Sequence, residues 1–263
     1  MPHIKINGGN LYYETRGEGI PIVFIHPPLL TGINFMYQFE HLSNKYKIIT
    51  FDIRGHGQSG YSSRVIDYSL IVEDIILLLN ELKIKKAFLC GYSTGGSIVL
   101  EFLQMHSERA FGGIVISGMS EVNDYYLKLR ILTAAGLSTK KTFPLLTYAI
   151  TRGNANTQQC FKRMQQASSK GDIRNIKQYY QFSLKYNCTN QLHKISVPIL
   201  LVYGAKDKVF HKYAYILQEK LPENELVLLE NEHHQIPTKA PQKLHDVMQR
   251  FIQSYIRENP FMV

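Results

Sequence analysis

The strongest constraint on this chain is a succession of short apolar runs separated by helix-patterned stretches. Residues 22–26, 46–51, 86–90, 113–117, 198–203 and 226–229 are rich in Ile, Val, Leu and Phe and lack a clear polar face. A strand that is apolar on both sides must be covered on both sides, which is the habit of parallel sheets flanked by helices. The helices between them are legible. Segment 69–82 carries apolar residues at 70, 71, 75, 78, 79 and 82, and 94–106 follows the third run. Segment 241–257 sets Leu244, Val247, Met248, Phe251 and Ile252 on one stripe. At the start, runs 4–6 and 11–15 flank Asn7-Gly8-Gly9-Asn10, a hairpin signal. These patterns predict an α/β fold with a mostly parallel eight-stranded sheet covered by helices on both faces.

One stretch breaks the alternation. Residues 119–191 hold no strand candidate, and show Leu, Tyr, Phe and Gln at helical spacing with breaks at Gly136, Pro144, Gly153 and Gly171. The expected organisation is a core of residues 1–118 and 192–263 interrupted by a helical insertion over 119–191. Charge singles out the same stretch. The chain carries a formal net charge of +9. The insertion holds eleven basic residues against the acids Glu121, Asp124 and Asp172, a difference of +8, so the rest is nearly neutral. Its excess reads as a solvated helix surface or as a preference for anionic substrates or lipid surfaces. Nucleic acid is not expected, because no binding motif accompanies the charge.

The three cysteines, Cys90, Cys160 and Cys188, are too sparse for a disulfide framework or a zinc site. No run is long enough to span a bilayer, and the polar N-terminus shows no signal-peptide pattern, so a cytoplasmic protein is expected.

Gly91-Tyr92-Ser93-Thr94-Gly95-Gly96 lies between an apolar strand and a helix, the context that the G-x-S-x-G arrangement requires. A sharp turn there projects the serine hydroxyl, and the helix N-terminus behind it offers N–H groups to a developing oxyanion. Asp207 stands just past the end of the run 198–203, and His233-His234 follows the last run and precedes the last helix. The order Ser, Asp, His, each after a strand, points to nucleophilic acyl transfer.

With these residues, Asp52-Ile53-Arg54-Gly55-His56-Gly57-Gln58-Ser59 resembles the D-x-R-G-x-G-x-S segment of the α/β-hydrolase superfamily, and the resemblance spans nearly the whole chain. It implies Ser93 as nucleophile, Asp207 as the acid that orients the histidine, and His234 as general base. His234 is preferred to His233 because the family usually has a proline seven residues on, here Pro241. It also implies that the insertion is a cap shaping the substrate pocket. Tyr92, Tyr125, Tyr126, Phe143 and Tyr148 are candidate substrate contacts, with Leu146, Phe161, Met164, Tyr179, Tyr180 and Phe182 as further lining or cap core. One oxyanion donor should be the Thr94 N–H. The second departs from the family pattern, because His26-Pro27-Pro28-Leu29 places Pro28, which has no N–H, at the donor position. The expectation is a re-aimed turn in which Leu29 donates. His26, Arg54 and His56 are read as bracing the loops.

The expected activity is carboxylesterase-like hydrolysis of a small to medium apolar ester, an anionic one included, with no metal or organic cofactor. Lactone or C–C bond hydrolysis on the same triad, and a partner-binding protein with weak turnover, are the alternatives. Oligomeric state is not readable from the sequence.

Overall fold

The computed structural model describes residues 2–259. Eight strands, β1 (His3–Ile6), β2 (Gly9–Arg16), β3 (Pro21–Ile25), β4 (Lys47–Phe51), β5 (Ala87–Tyr92), β6 (Ala110–Ile116), β7 (Ile199–Gly204) and β8 (Asn224–Leu229), form one sheet in the order β1-β2-β4-β3-β5-β6-β7-β8. The hairpin β1–β2 turns through Asn7-Gly8, with Gly8 at φ 87°, and β2 pairs antiparallel with β4. All other pairings are parallel. The runs at the centre of the sheet are fully covered, every residue of β5, β6 and β7 being buried, but run 226–229 forms the edge strand β8, where Leu226 and Val227 are half-buried and Leu228 is exposed. Burying each large aliphatic or aromatic side chain contributes about 1.5–3 kcal/mol, which holds the sheet between its helical layers.

The flanking helices are α1 (Met36–Leu42), α2 (Tyr68–Glu81), α3 (Thr94–Met105), α8 (Lys208–Lys220), α9 (Ile236–Lys239) and α10 (Pro241–Glu258), with four further helices inserted between β6 and β7. Asp67 caps α2 by accepting from the Leu70 N–H at 2.7 Å. The buried face of α2 includes Asp74, whose carboxylate takes both Arg54 Nε and Nη2 at 2.6 Å.

The insertion folds as α4 (Tyr125–Leu137), α5 (Phe143–Asn154), α6 (Gln158–Ser168) and α7 (Ile173–Lys185). Asp124, Thr157 and Asp172 cap α4, α6 and α7 with side-chain acceptors. Of the four expected breaks only Gly171 lies between helices. Gly136 and Gly153 sit in the last turns of α4 and α5, and Pro144 is in the first turn of α5, where its missing N–H has no intrahelical partner to lose. The two ends of the insertion are stitched together: Glu121 and Asn187 form an isolated antiparallel bridge, the Cys188 N–H donates to Ser120 O at 3.0 Å, and Ser120 Oγ bonds Thr189 Oγ1 at 2.7 Å. The three cysteines are free and buried. Among the described residues no helix is long and apolar enough to cross a membrane.

Candidate active site

Strand β5 ends in a turn that only its neighbours permit. Ser93 has φ 55° and ψ −122°, an uncommon conformation for a residue with a side chain, and it stands at the N-cap of α3. A Cβ on Gly91 would collide with the Gly95 carbonyl, and one on Gly95 with the Ile25 carbonyl. The strand, the turn and the helix can therefore pack this closely only with glycine at both positions. The Ser93 N–H is fixed by Ile116 O at 2.8 Å, so the serine is tied to the neighbouring strand.

Parallel strands put their C-terminal ends on one edge of the sheet, so the loops after β5, β7 and β8 meet there. That is how residues far apart in sequence converge. His234 Nε2 lies 3.2 Å from Ser93 Oγ, and His234 Nδ1 lies 2.8 Å from Asp207 Oδ2. His233 is exposed and stands outside this chain of hydrogen bonds. With Asp207 accepting from Nδ1–H, Nε2 carries the free lone pair and faces the serine hydroxyl. Two contacts that sequence reasoning missed hold the histidine. The Phe210 ring packs on the imidazole with centroids 4.1 Å apart, and Ser117 Oγ donates to His234 O at 3.2 Å. Phe210 sits one turn into α8, three residues after Asp207; nothing in its sequence context marks it. Ser117 has φ 46° at the end of β6, another turn whose strain sequence does not display.

The Pro-Pro loop is pinned carbonyl by carbonyl. Tyr179 Oη donates to His26 O at 3.1 Å, and Tyr180 Oη donates to Pro28 O at 3.4 Å. His26 Nδ1–H donates to Pro27 O at 2.9 Å, and its Nε2 accepts from the Ile53 N–H at 2.9 Å. Leu29 then turns to φ 70°, and its N–H finds no hydrogen-bond partner among the described residues. The Leu29 side chain is buried, whereas Pro27, Pro28 and Thr94 line the cavity in front of Ser93. Burial holds both His26 and His56 below the ordinary histidine range, His56 at about 4, so both are neutral braces. His56 Nδ1–H donates to Arg54 O at 2.9 Å.

The cavity in front of Ser93 measures about 140 Å³ and is walled by the core and the insertion together. The insertion supplies Met119, Leu127, Arg130, Ile131, Ala134, Ile150, Asn154 and Tyr180; the core adds Leu30, Tyr92, Phe210 and Gln235. Tyr92 lies in the wall, and its hydroxyl donates to Asn154 Oδ1 at 3.1 Å, joining β5 to α5. Burial pushes the Tyr92 phenol well up, Asp207 adds to this and Arg130 opposes it. The other four candidate contacts lie elsewhere. Tyr125, Tyr126 and Tyr148 are 81%, 56% and 49% exposed, and Phe143 is buried away from the cavity. The reason is helical phase: Leu127, Ile131 and Ala134 take the inner face of α4, which turns Tyr125 and Tyr126 outward. Arg130 lies in the wall without an acid beside it, and the wall contains no Asp or Glu among the described residues. Among those residues no cluster of His, Cys, Asp or Glu could hold a metal ion.

A family model described as serine aminopeptidase, S33 matches residues 35–238, well over half the chain. The chain belongs to this family. It is a hydrolase of the α/β-hydrolase superfamily. Among similar proteins, the AB hydrolase superfamily protein YisY of Bacillus subtilis (strain 168) is 24% identical over 93% of this chain and 96% of its own. Two solved structures share the fold. A structure described under carboxylesterases of Nitrososphaera gargenis covers 98% of this chain and 100% of its own at TM-score 0.85 and 18% identity. The enol-lactonase from Burkholderia xenovorans LB400 covers 96% of this hydrolase and 100% of its own at TM-score 0.85 and 18% identity.

Proposed function

We propose that this hydrolase cleaves carboxylic esters through an acyl-enzyme on Ser93. The observation that carries the reading is the unbroken chain Asp207 Oδ2, His234 Nδ1, His234 Nε2, Ser93 Oγ at 2.8 and 3.2 Å, opening on an apolar cavity. Ser93 Oγ attacks the ester carbonyl as its proton passes to His234 Nε2. Asp207 holds the imidazole in the required tautomer and stabilises the imidazolium. The tetrahedral oxyanion accepts from the N–H groups of Thr94 and Leu29. The proton then goes to the departing alcohol oxygen as the C–O bond breaks. Water, deprotonated by the same imidazole, releases the acid and restores Ser93.

The inserted helices act as the cap that bounds the acyl site. Leu127, Ile131, Ala134 and Ile150 suit a small to medium apolar acyl group, and Arg130 suits an anionic one. Removal of an N-terminal amino acid would require an acid for the substrate ammonium, and the cavity wall offers none. Relatives named for ester and lactone substrates, the carboxylesterase and enol-lactonase above, agree with this choice. The test is turnover of p-nitrophenyl acetate and butyrate with Ser93→Ala as control, alongside labelling by a fluorophosphonate. Turnover and labelling that both vanish in Ser93→Ala are expected. Labelling without ester turnover would sink the esterase reading, and absence of labelling would sink the triad.

A further inference from the structure

Helix α4 is apolar on both faces. Its inner face walls the cavity, but its outer face carries Tyr125, Leu129 and Leu132 at i, i+4 and i+7, exposed by 81%, 48% and 48%, with Tyr126 beside them. The neighbouring α5 repeats the pattern: Ile150 and Asn154 face the cavity while Leu145 and Tyr148 are 64% and 49% exposed. Water-facing helices ordinarily place polar residues at such positions. Large apolar side chains gathered on adjoining helices mark a surface that meets something else.

The charge around them states what that is. From Tyr125 to Gly171 the chain has eight basic residues and no acid; Lys128, Arg130, Lys140, Lys141 and Arg152 lie on α4, on α5 or between them, whereas Arg163 pairs with Glu40 and Lys170 lies near Asp52. The bordering acid Asp124 is occupied, accepting from the Leu127 N–H at 2.8 Å and from the Tyr213 hydroxyl. A second copy of this chain docked through the same face would set like charges against each other, because a two-fold interface pairs a patch with itself. Nucleic acid would answer the lysines but leave Leu129, Leu132 and Leu145 without a partner. An anionic bilayer answers both, since acyl chains take the leucines, the headgroup region takes tyrosines, and the phosphates take the lysines.

We propose that the outer face of α4 and α5 is a docking surface for an anionic lipid bilayer. The same two helices wall the cavity, and Arg130 is both exposed and in that wall, so the docked face presents the active site to an amphiphilic ester at the membrane surface. That last step rests on the esterase reading; the docking does not.

The experiment is co-sedimentation of the full chain with phosphatidylcholine vesicles, with and without about one-third phosphatidylglycerol. Binding to the anionic vesicles alone is expected. It should weaken as salt rises from about 0.1 to about 1 M, which shortens screening from about 10 to about 3 Å. Lys128→Glu/Lys140→Glu/Lys141→Glu should lower the partition coefficient roughly a hundredfold or more. Leu129→Ser/Leu132→Ser/Leu145→Ser should lower it roughly tenfold or more, because the burial of each leucine is lost. Circular dichroism and turnover of soluble p-nitrophenyl acetate should stay unchanged in both, since all six residues lie on the water-facing side. Equal binding to neutral vesicles, no binding, or variants that bind like the native chain would each overturn the proposal. A dimer in sedimentation velocity that the leucine variant converts to monomer would overturn it in favour of self-association. A short RNA held more tightly than the anionic vesicles would overturn it in favour of nucleic acid. Binding is scored without turnover, so failure of the esterase reading leaves the vesicle result intact.

Discussion

Asp207→Asn tests the mechanism most sharply. Asp207 Oδ2 lies 2.8 Å from His234 Nδ1, and both side chains are largely shielded from solvent, at 12% and 15% exposure. The carboxylate can only accept, so it fixes the proton on Nδ1 and leaves Nε2 free to take the Ser93 proton. Asparagine can turn its NH₂ toward Nδ1, which then accepts and moves the ring proton to Nε2. In that tautomer Nε2 donates toward Ser93 Oγ and cannot act as base. The imidazolium also loses its counter-charge. The comparable change in a serine protease triad costs about 10⁴ in kcat, or about 5.5 kcal/mol of transition-state stabilisation. The substitution is nearly isosteric, so folding stability should move by less than about 1 kcal/mol. The assay is kcat for p-nitrophenyl butyrate, with burst kinetics and urea unfolding on the same preparations. A fall of about 10⁴ in kcat with KM little changed is the expected result. Retention of more than about a tenth of native kcat by a folded variant would refute Asp207 as the orienting acid.

Three further outcomes follow from other parts of the molecule. Arg130→Gln should lower kcat/KM roughly three- to tenfold for an ester bearing a carboxylate on its acyl chain, while a neutral ester of equal length is unaffected; equal losses on both would remove Arg130 from substrate recognition. Arg54→Ala strands the Asp74 carboxylate in a site where both partners are 1% exposed, so urea unfolding should report a loss of about 3–5 kcal/mol, and a loss below about 1 kcal/mol would contradict the buried pair. His56, buried and neutral with its pKa lowered from 6.5 to about 4, stabilises the fold above the unfolded pKa, and that contribution is lost as pH falls through the folded one. At pH about 4.5 the loss is about 2.5 kcal/mol relative to pH about 7.5, and His56→Asn should flatten this part of the pH dependence of urea unfolding; an unchanged slope in the variant would show that His56 is not buried neutral.

Sequence alone determined much of the architecture, because its decisive signals are local. Most apolar runs without a polar face are inner strands, and Asn7-Gly8 between two short runs is a tight turn; run 226–229 instead forms the edge strand β8, because apolar composition does not say which strand will lack a second neighbour. The elbow was equally legible, since the glycines at 91 and 95 flank Ser93 between an apolar run and a helix, although the demand at 95 comes from the Ile25 carbonyl of β3. The choice of His234 over His233 came instead from the resemblance to the α/β-hydrolase superfamily, through the spacing to Pro241, which opens α10.

Tertiary structure decided what depends on facing and convergence. Helix α4 carries apolar residues on both its inner and outer faces, so its spacing alone did not say whether Tyr125 and Tyr126 or Leu127 and Ile131 would turn to the cavity; packing against α7 made that choice. Tyr179, Tyr180 and His26 hold the three carbonyls that precede Leu29 at φ 70°, and the two tyrosines come from α7, some 150 residues along the chain. Phe210 and Ser117 meet His234 only once β6, β7 and β8 lie side by side. Ser93 was readable as a residue type in a turn. Its partnership with His234, 141 positions away, exists because parallel strands gather their C-terminal loops on one edge.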